Sequence, residues 1–143
     1  QIKATVESAS GIGLVHDYER WCNNQTDFET LYKSGSAING WTVSRESIPC
    51  DWTTHLEVLV THVFVVRGYY SLDDSAGTEK TFQDLVDAVR QKLHAKVTFS
   101  DTAEKADPAQ VRIIEHRMLF GHLCHYCEIE VRVDEREVVT LAD

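Results

Sequence analysis

Long apolar runs are missing from this chain. No window of about 18 apolar residues occurs, so no segment is suited to cross a bilayer as a helix. The longest apolar stretch, around Leu56 to Val66, is broken by Glu57, Thr61 and His62. No secretory signal pattern follows Gln1, and a start without Met leaves room for a segment upstream. Clustered cations are missing too. The chain carries 14 Lys and Arg against 23 Asp and Glu, a formal net charge of −9. A fold that grips phosphate backbones needs the opposite balance. A surface that DNA passes without sticking remains compatible, and high like charge keeps a monomer dissolved until it meets its partner. Phosphate-binding glycine loops, the Gly-x-Ser-x-Gly elbow and the zinc-protease helix motif are absent. Gly11-Ile-Gly13 alone is too short to count. With no internal sequence repeat and no low-complexity linker, residues 1–143 read as a single domain.

What is present is ordinary for a globular protein: 43% hydrophobic and 26% charged residues. A chain of 143 residues buries roughly 70% of its unfolded surface, enough to fold without metal or disulfides. The four cysteines, Cys22, Cys50, Cys124 and Cys127, are expected as free thiols, because the chain is long and lacks a secretory signal.

Periodicity places the elements. Ile2, Val6 and Ala9 give the tail of an amphipathic helix, ended by Ser10 to Gly13. Leu14 to Trp21 reads as a short strand or extended segment. Thr26 to Lys33 reads as a helix with Thr26 as N-cap, Glu29 as its capping-box partner, a Phe28, Leu31 and Tyr32 stripe, and Gly35 as its stop. Ile38 to Ile48 alternates as a strand and ends at Pro49. Thr54 to Tyr70 is the strongest strand signal, apolar on both faces and so central. After a turn at Ser71 to Gly77, Thr78 to Ala95 is the clearest helix. It buries Phe82, Leu85, Val86, Val89 and Leu93 and exposes Lys80, Asp84, Asp87 and Gln91. Asp101 to Pro108 reads as a polar loop. Val111 to Arg117 and His122 to Val133 read as strands turned near Phe120–Gly121, and the last ten residues as a tail or an added strand. The order predicts an α+β fold, a mainly antiparallel sheet with helices packed on it.

One cluster invites chemistry: His122-Leu-Cys124-His125-Tyr-Cys127. Two Cys and two His suggest zinc. On a strand, however, His122 and Cys124 face one side and His125 and Cys127 the other, so four ligands do not close into a tetrahedron. The favoured reading packs Cys127 as a small hydrophobe beside Leu123, Ile129 and Val131. A reactive thiol at Cys124/His125 is the alternative, without an orienting or oxyanion group to support it. His55 and His62 fall on opposite faces of one predicted strand, and His16-Asp17 with Glu19 lies in an extended stretch. Asp73-Asp74 precedes the long helix, where carboxylates cap and complement its positive end, a better reading than cation binding. No catalytic, cofactor-binding or metal residue is therefore assigned. Trp21, Trp41, Trp52, Tyr69 and Tyr70 lie near predicted element boundaries, as interface anchors do.

Four segments carry a family resemblance. They are Gly11-Ile-Gly-Leu-Val-His-Asp-Tyr-Glu-Arg-Trp21, Ile38-Asn-Gly-Trp41, His62-Val-Phe-Val-Val-Arg-Gly-Tyr-Tyr70 with Leu72-Asp-Asp74, and Cys124-His-Tyr-Cys-Glu-Ile-Glu-Val-Arg-Val133. In patches across most of the chain they resemble tail terminator, or tail-completion, proteins of long-tailed bacteriophages. The resemblance implies an α+β protein with no active site and no cofactor. It implies a homo-oligomer, a hexameric ring, that caps the tail tube and meets the head connector, with DNA passing through the lumen without specific binding. The implied location is the virion tail or neck, after assembly in the host cytoplasm, with no membrane partner. Such a subunit would use sheet edges and aromatic anchors, with the loops 71–77 and 101–108 as candidates for tube contact or lumen lining. A head–tail connector or adaptor of the neck is the close alternative. An enzyme using Cys124/His125 and a generic binding module are the others.

Overall fold

The computed structural model describes residues 1–96, 99 and 103–141. Its elements are α1 (Ile2–Glu7), β1 (Leu14–His16), α2 (Gln25–Tyr32), β2 (Lys33–Ser34), β3 (Ala37–Ser47), β4 (Cys50–Thr54), β5 (Glu57–Ser71), α3 (Thr78–His94), β6 (Ala103–Ala106), β7 (Gln110–Leu119) and β8 (His122–Val138). The strands join in one mainly antiparallel sheet, with β1 parallel to β3, and the fold is α+β.

Two long hairpins make the frame. β3 and then β4 run along β5, broken at Ile48–Pro49. β6 and then β7 run along β8, broken around Pro108. The chain's 2 prolines thus sit at matching gaps in the outer strands, where a missing N–H leaves no ladder bond unmade. The inner strands β5 and β8 pair antiparallel along all 15 residues of β5, from Glu57 opposite Val138 to Ser71 opposite Cys124. The hairpin tips therefore point to opposite ends of the sheet. The order strand, proline, strand, turn, strand occurs twice, a repeat of topology that the sequence does not display. The second tip turns on Phe120 and Gly121, both at positive φ (47° and 79°), as a two-residue type I′ turn requires.

The helices divide between the two faces. On one face α1 and α3 cover Trp41, Val43, Val66, Cys127, Ile129, Val131 and Val133. All five residues of the predicted α3 stripe are buried there. Each such side chain contributes about 1.5–3 kcal/mol on burial. Gly68 is paired with Trp41. A Cβ on it would lie 2.5 Å from Trp41 Cζ3, so only glycine leaves room for the indole ring. On the other face α2 seats Phe28 and Tyr32 against Ile38 and Cys124, with Tyr69 beside them.

Several local expectations are corrected. The N-cap of α2 is Asn24, whose Oδ1 accepts from Asp27 N at 2.9 Å, in place of Thr26. Asn24 adopts the extended backbone and offers the short side-chain acceptor that a cap needs, two positions before Thr26. Glu29 accepts instead from Gln25 Nε2. Gly35, at φ 68°, turns the short hairpin from β2 into β3 and is not the helix cap. Thr54 belongs to β4, and His55–Leu56 form the first tip, so the strand expected from Thr54 begins at Glu57. Of the expected 101–108 loop, Ala103–Ala106 is strand β6, paired with β8, while residues 101 and 102 lie outside the described residues. The final residues extend β8 to Val138.

Candidate functional site

The His122–Cys127 segment lies in β8 and obeys strand alternation. His122 Nε2 meets Glu29 Oε1 of α2 at 2.9 Å, and Cys124 is buried in the α2 cluster. His125 and Cys127 face the α3 layer. His125 Nε2 meets Thr78 Oγ1 at 3.0 Å, and its ring stacks on Phe82. Among the described residues no group of three or more His, Cys, Asp or Glu is placed to hold a metal. Cys127 packs with Ile129 and Val131 as expected. Leu123 does not join them, because it lies at the second tip beyond the helix layer and is exposed. Burial pushes the Cys124 thiol up to about 11 and the Cys127 thiol up to about 12. Both are held as neutral thiols at neutral pH, the wrong direction for a nucleophile. All four cysteines are free. Burial first, and then the neighbouring His116, hold His125 below its ordinary value.

The other singled-out residues serve as ties. His16 Nε2 contacts Leu31 O at 2.6 Å and fastens β1 to the end of α2. His62 Nε2 meets Glu135 Oε2 at 3.0 Å across β5 and β8, while His55 sits in the tip turn and not on the same strand. Asp73 folds its own turn. Its Oδ1 accepts from Ser75 Oγ and Ala76 N, and the residue at the N-cap of α3 is Gly77. The Asp73-Asp74 pair is therefore an Asx-type turn ahead of the helix and not its cap.

Of the five aromatic candidates, Trp41 is the centre of the core, and Tyr69 and Tyr70 pack against the α2 and α3 layers. Trp41 falls mid-strand because β3 starts at Ala37. Trp21 and Trp52 are exposed, at 85% and 65%. Trp52 marks a surface that sequence reasoning did not delimit. It pairs with Val58 at the first tip, next to exposed Leu56, while Val138, opposite Glu57, is exposed on the other face of the sheet. At the opposite tip Met118 pairs with Leu123, and both are exposed, with Phe120 in the turn. By strand alternation Trp52, Val58, Met118 and Leu123 all face the side that carries α3. The signal in the sequence is an apolar pair on each side of a two-residue turn, which looks the same whether a helix covers it or not.

Between the tips, the face opposite α3 is roofed by charge. Arg67 lies 3.8 Å from Glu46 and 3.6 Å from Glu128. Arg112 reaches Glu46 at 2.9 Å, Glu128 at 3.5 Å and Glu130 at 3.3 Å. The Tyr126 hydroxyl donates to Glu128 at 2.6 Å, and the Arg117 guanidinium lies 3.8 Å from the Tyr126 ring centroid. Val65, paired with Ser44 and Glu130 on this face, is fully buried. Exposed ion pairs taken singly stabilise little, but a shared network holds the apolar ladder under it.

The segments that carry the tail-terminator resemblance meet in the sheet. Trp41, Gly68 and Cys127 are cross-strand neighbours. They specify packing more than surface. No family model matches the chain, and no curated protein matches it. No helix among the described residues is long and apolar enough to cross a membrane.

Proposed function

We propose that this protein is a structural virion protein that forms a ring on the end of a phage tail tube and joins the tube to the head connector. The observation that carries the reading is the pair of hairpin tips, which extend exposed apolar side chains to opposite ends of one sheet. Solvent-facing Trp, Met, Leu and Val grouped in this way mark protein contact surfaces. Two different tips on one subunit suit a head-to-tail contact, which closes into a ring when its rotation is right. The sequence resemblance supplies the ring size, a hexamer, and the partners: the tail tube protein and the connector. It also supplies the place, the virion tail or neck after assembly in the host cytoplasm.

The charge supports the same reading. Six copies multiply a net charge of −9, so acidic groups facing a lumen would repel DNA phosphates and let the genome slide. A basic lumen in the assembled ring would contradict this part. A neck adaptor would use the same surfaces at a different position in the virion.

Sedimentation with purified tail tubes tests the proposal. The wild-type protein is expected to pellet with tubes at one ring per tube end. Trp52→Asp, at an exposed position that leaves the core intact, is expected to reduce the bound fraction about tenfold or more, the scale of losing one buried aromatic contact. Binding along the whole tube, or no binding, would contradict it.

A further inference from the structure

Two strands leave an edge of the sheet open, one at each tip. Among the described residues β4 pairs with β5 alone, on the β3 side of the sheet, and β7 pairs with β8 alone, on the β6 side. All five residues of β4 are exposed, and so are residues 114–118 of β7. The outward N–H and C=O groups of such an edge are a template for another strand. Proline, which would blunt either run, is in neither.

The two runs match in direction and in face. β4 runs antiparallel to β5, and β7 runs parallel to it, through β8. A neighbour set edge to edge, with its α3 layer on the same side, therefore brings its β4 antiparallel to β7. On the α3 side β4 presents Cys50 and Trp52, and β7 presents Ile114, His116 and Met118. On the other side Asp51 has no ion pair among the described residues. Arg117 meets Glu115 of its own strand, and its guanidinium has donors left for a second carboxylate. Charge selects the register. Asp51 opposite Arg117 sets Cys50 opposite Met118 and Trp52 opposite His116. A slip of two residues keeps the faces but sets Asp51 against Glu115 or Leu119.

We propose that β4 of one copy adds to β7 of the next as an antiparallel strand, residues 50–52 lying beside residues 116–118. The contact covers Trp52 and Met118, which are 65% and 66% exposed in the single chain. Val58 and Tyr70 are the β5 residues level with Trp52 and His116, so the neighbour is displaced by most of the length of β5 and the copies meet tip to tip. The two edges are different surfaces of one chain, so the contact is heterologous and propagates around a ring. Two β7 edges facing each other would stop at a dimer and leave Trp52 in solvent. This inference rests on the assembly reading above and names the contact that reading leaves open.

Two measurements on the full chain test it. The first uses Cys22→Ser with Met118→Cys and keeps native Cys50. Residues directly opposite on antiparallel strands have Cα atoms about 4.5–5.5 Å apart, within disulfide range. Within one chain the two positions lie at opposite tips, out of reach of each other. Mild oxidation is expected to give a covalent ladder of up to six chains, and Cys50→Ser in the same background is expected to abolish it. A dimer that survives Cys50→Ser would mean that β7 pairs with β7, and overturns the proposal. So does a preparation that assembles without cross-linking. In the second measurement Asp51→Arg, at an exposed position, should hold the thermal midpoint while the self-association Kd rises about tenfold or more. Arg117→Asp on that background should recover part of the loss. If wild type assembles and Asp51→Arg assembles equally well, the strand contact is wrong and the ring reading stands. If wild type stays monomeric with and without tubes, both are wrong.

Discussion

Cys124 and Cys127 are three residues apart and face opposite layers, which decides what they do. Each sulfur fills a packed cluster, and burial raises both thiols well above their ordinary value of 9.0. Brief iodoacetamide treatment near neutral pH is therefore expected to label exposed Cys50 first and half-buried Cys22 slowly. Intact mass should show at most two adducts on the native protein and four after unfolding; fast labelling of Cys124 would overturn the packing account. His125 gives a pH signature. Burial and His116 hold its imidazole below the ordinary 6.5. The unfolded chain then takes up a proton before the folded one does, so stability falls as pH drops below 6.5 and levels once the folded His125 protonates. Urea midpoints measured across this window should show a shallower acid limb for His125→Gln than for wild type. An unchanged slope would mean that His125 titrates alike in both states.

At the scale of elements, the sheet depends on one close approach. Gly68→Ala would press a methyl group into the Trp41 ring, with a cost of about 1–3 kcal/mol or more for overpacking. Thermal unfolding should show a lowered midpoint, and Trp41→Phe on that background should recover part of it. The helix α3 was legible because Phe82 to Leu93 repeat at helical spacing and every one of them is buried. The centrality of β5 was legible for a similar reason, since both of its faces are apolar. Its start was not legible: Thr54 and Glu57 pair across a two-residue turn without Gly or Asn, so nothing local marks His55–Leu56 as a tip. β6 was missed because Ala103–Ala106 is polar and short, and only its pairing to β8 makes it a strand. The exposed tip pairs were invisible for a further reason. Alternation places Trp52 and Met118 on a face, but only tertiary packing decides whether a helix covers that part of it.

The whole molecule is two hairpins laid antiparallel, with helices over the middle of the sheet and apolar side chains at both ends. Its charge is arranged in a matching way. Arg67, Arg112, Arg117 and Arg132 are spent on carboxylates of a single face. An uneven remainder of acid lies elsewhere on a chain of net charge −9. This architecture suits a part that meets copies of itself end to end and repels a passing polyanion. Particle imaging of the purified protein mixed with tail tubes tests that claim most directly. The account predicts closed six-fold rings seated on tube ends, lost with Trp52→Asp. Isolated monomers beside bare tube ends would contradict it.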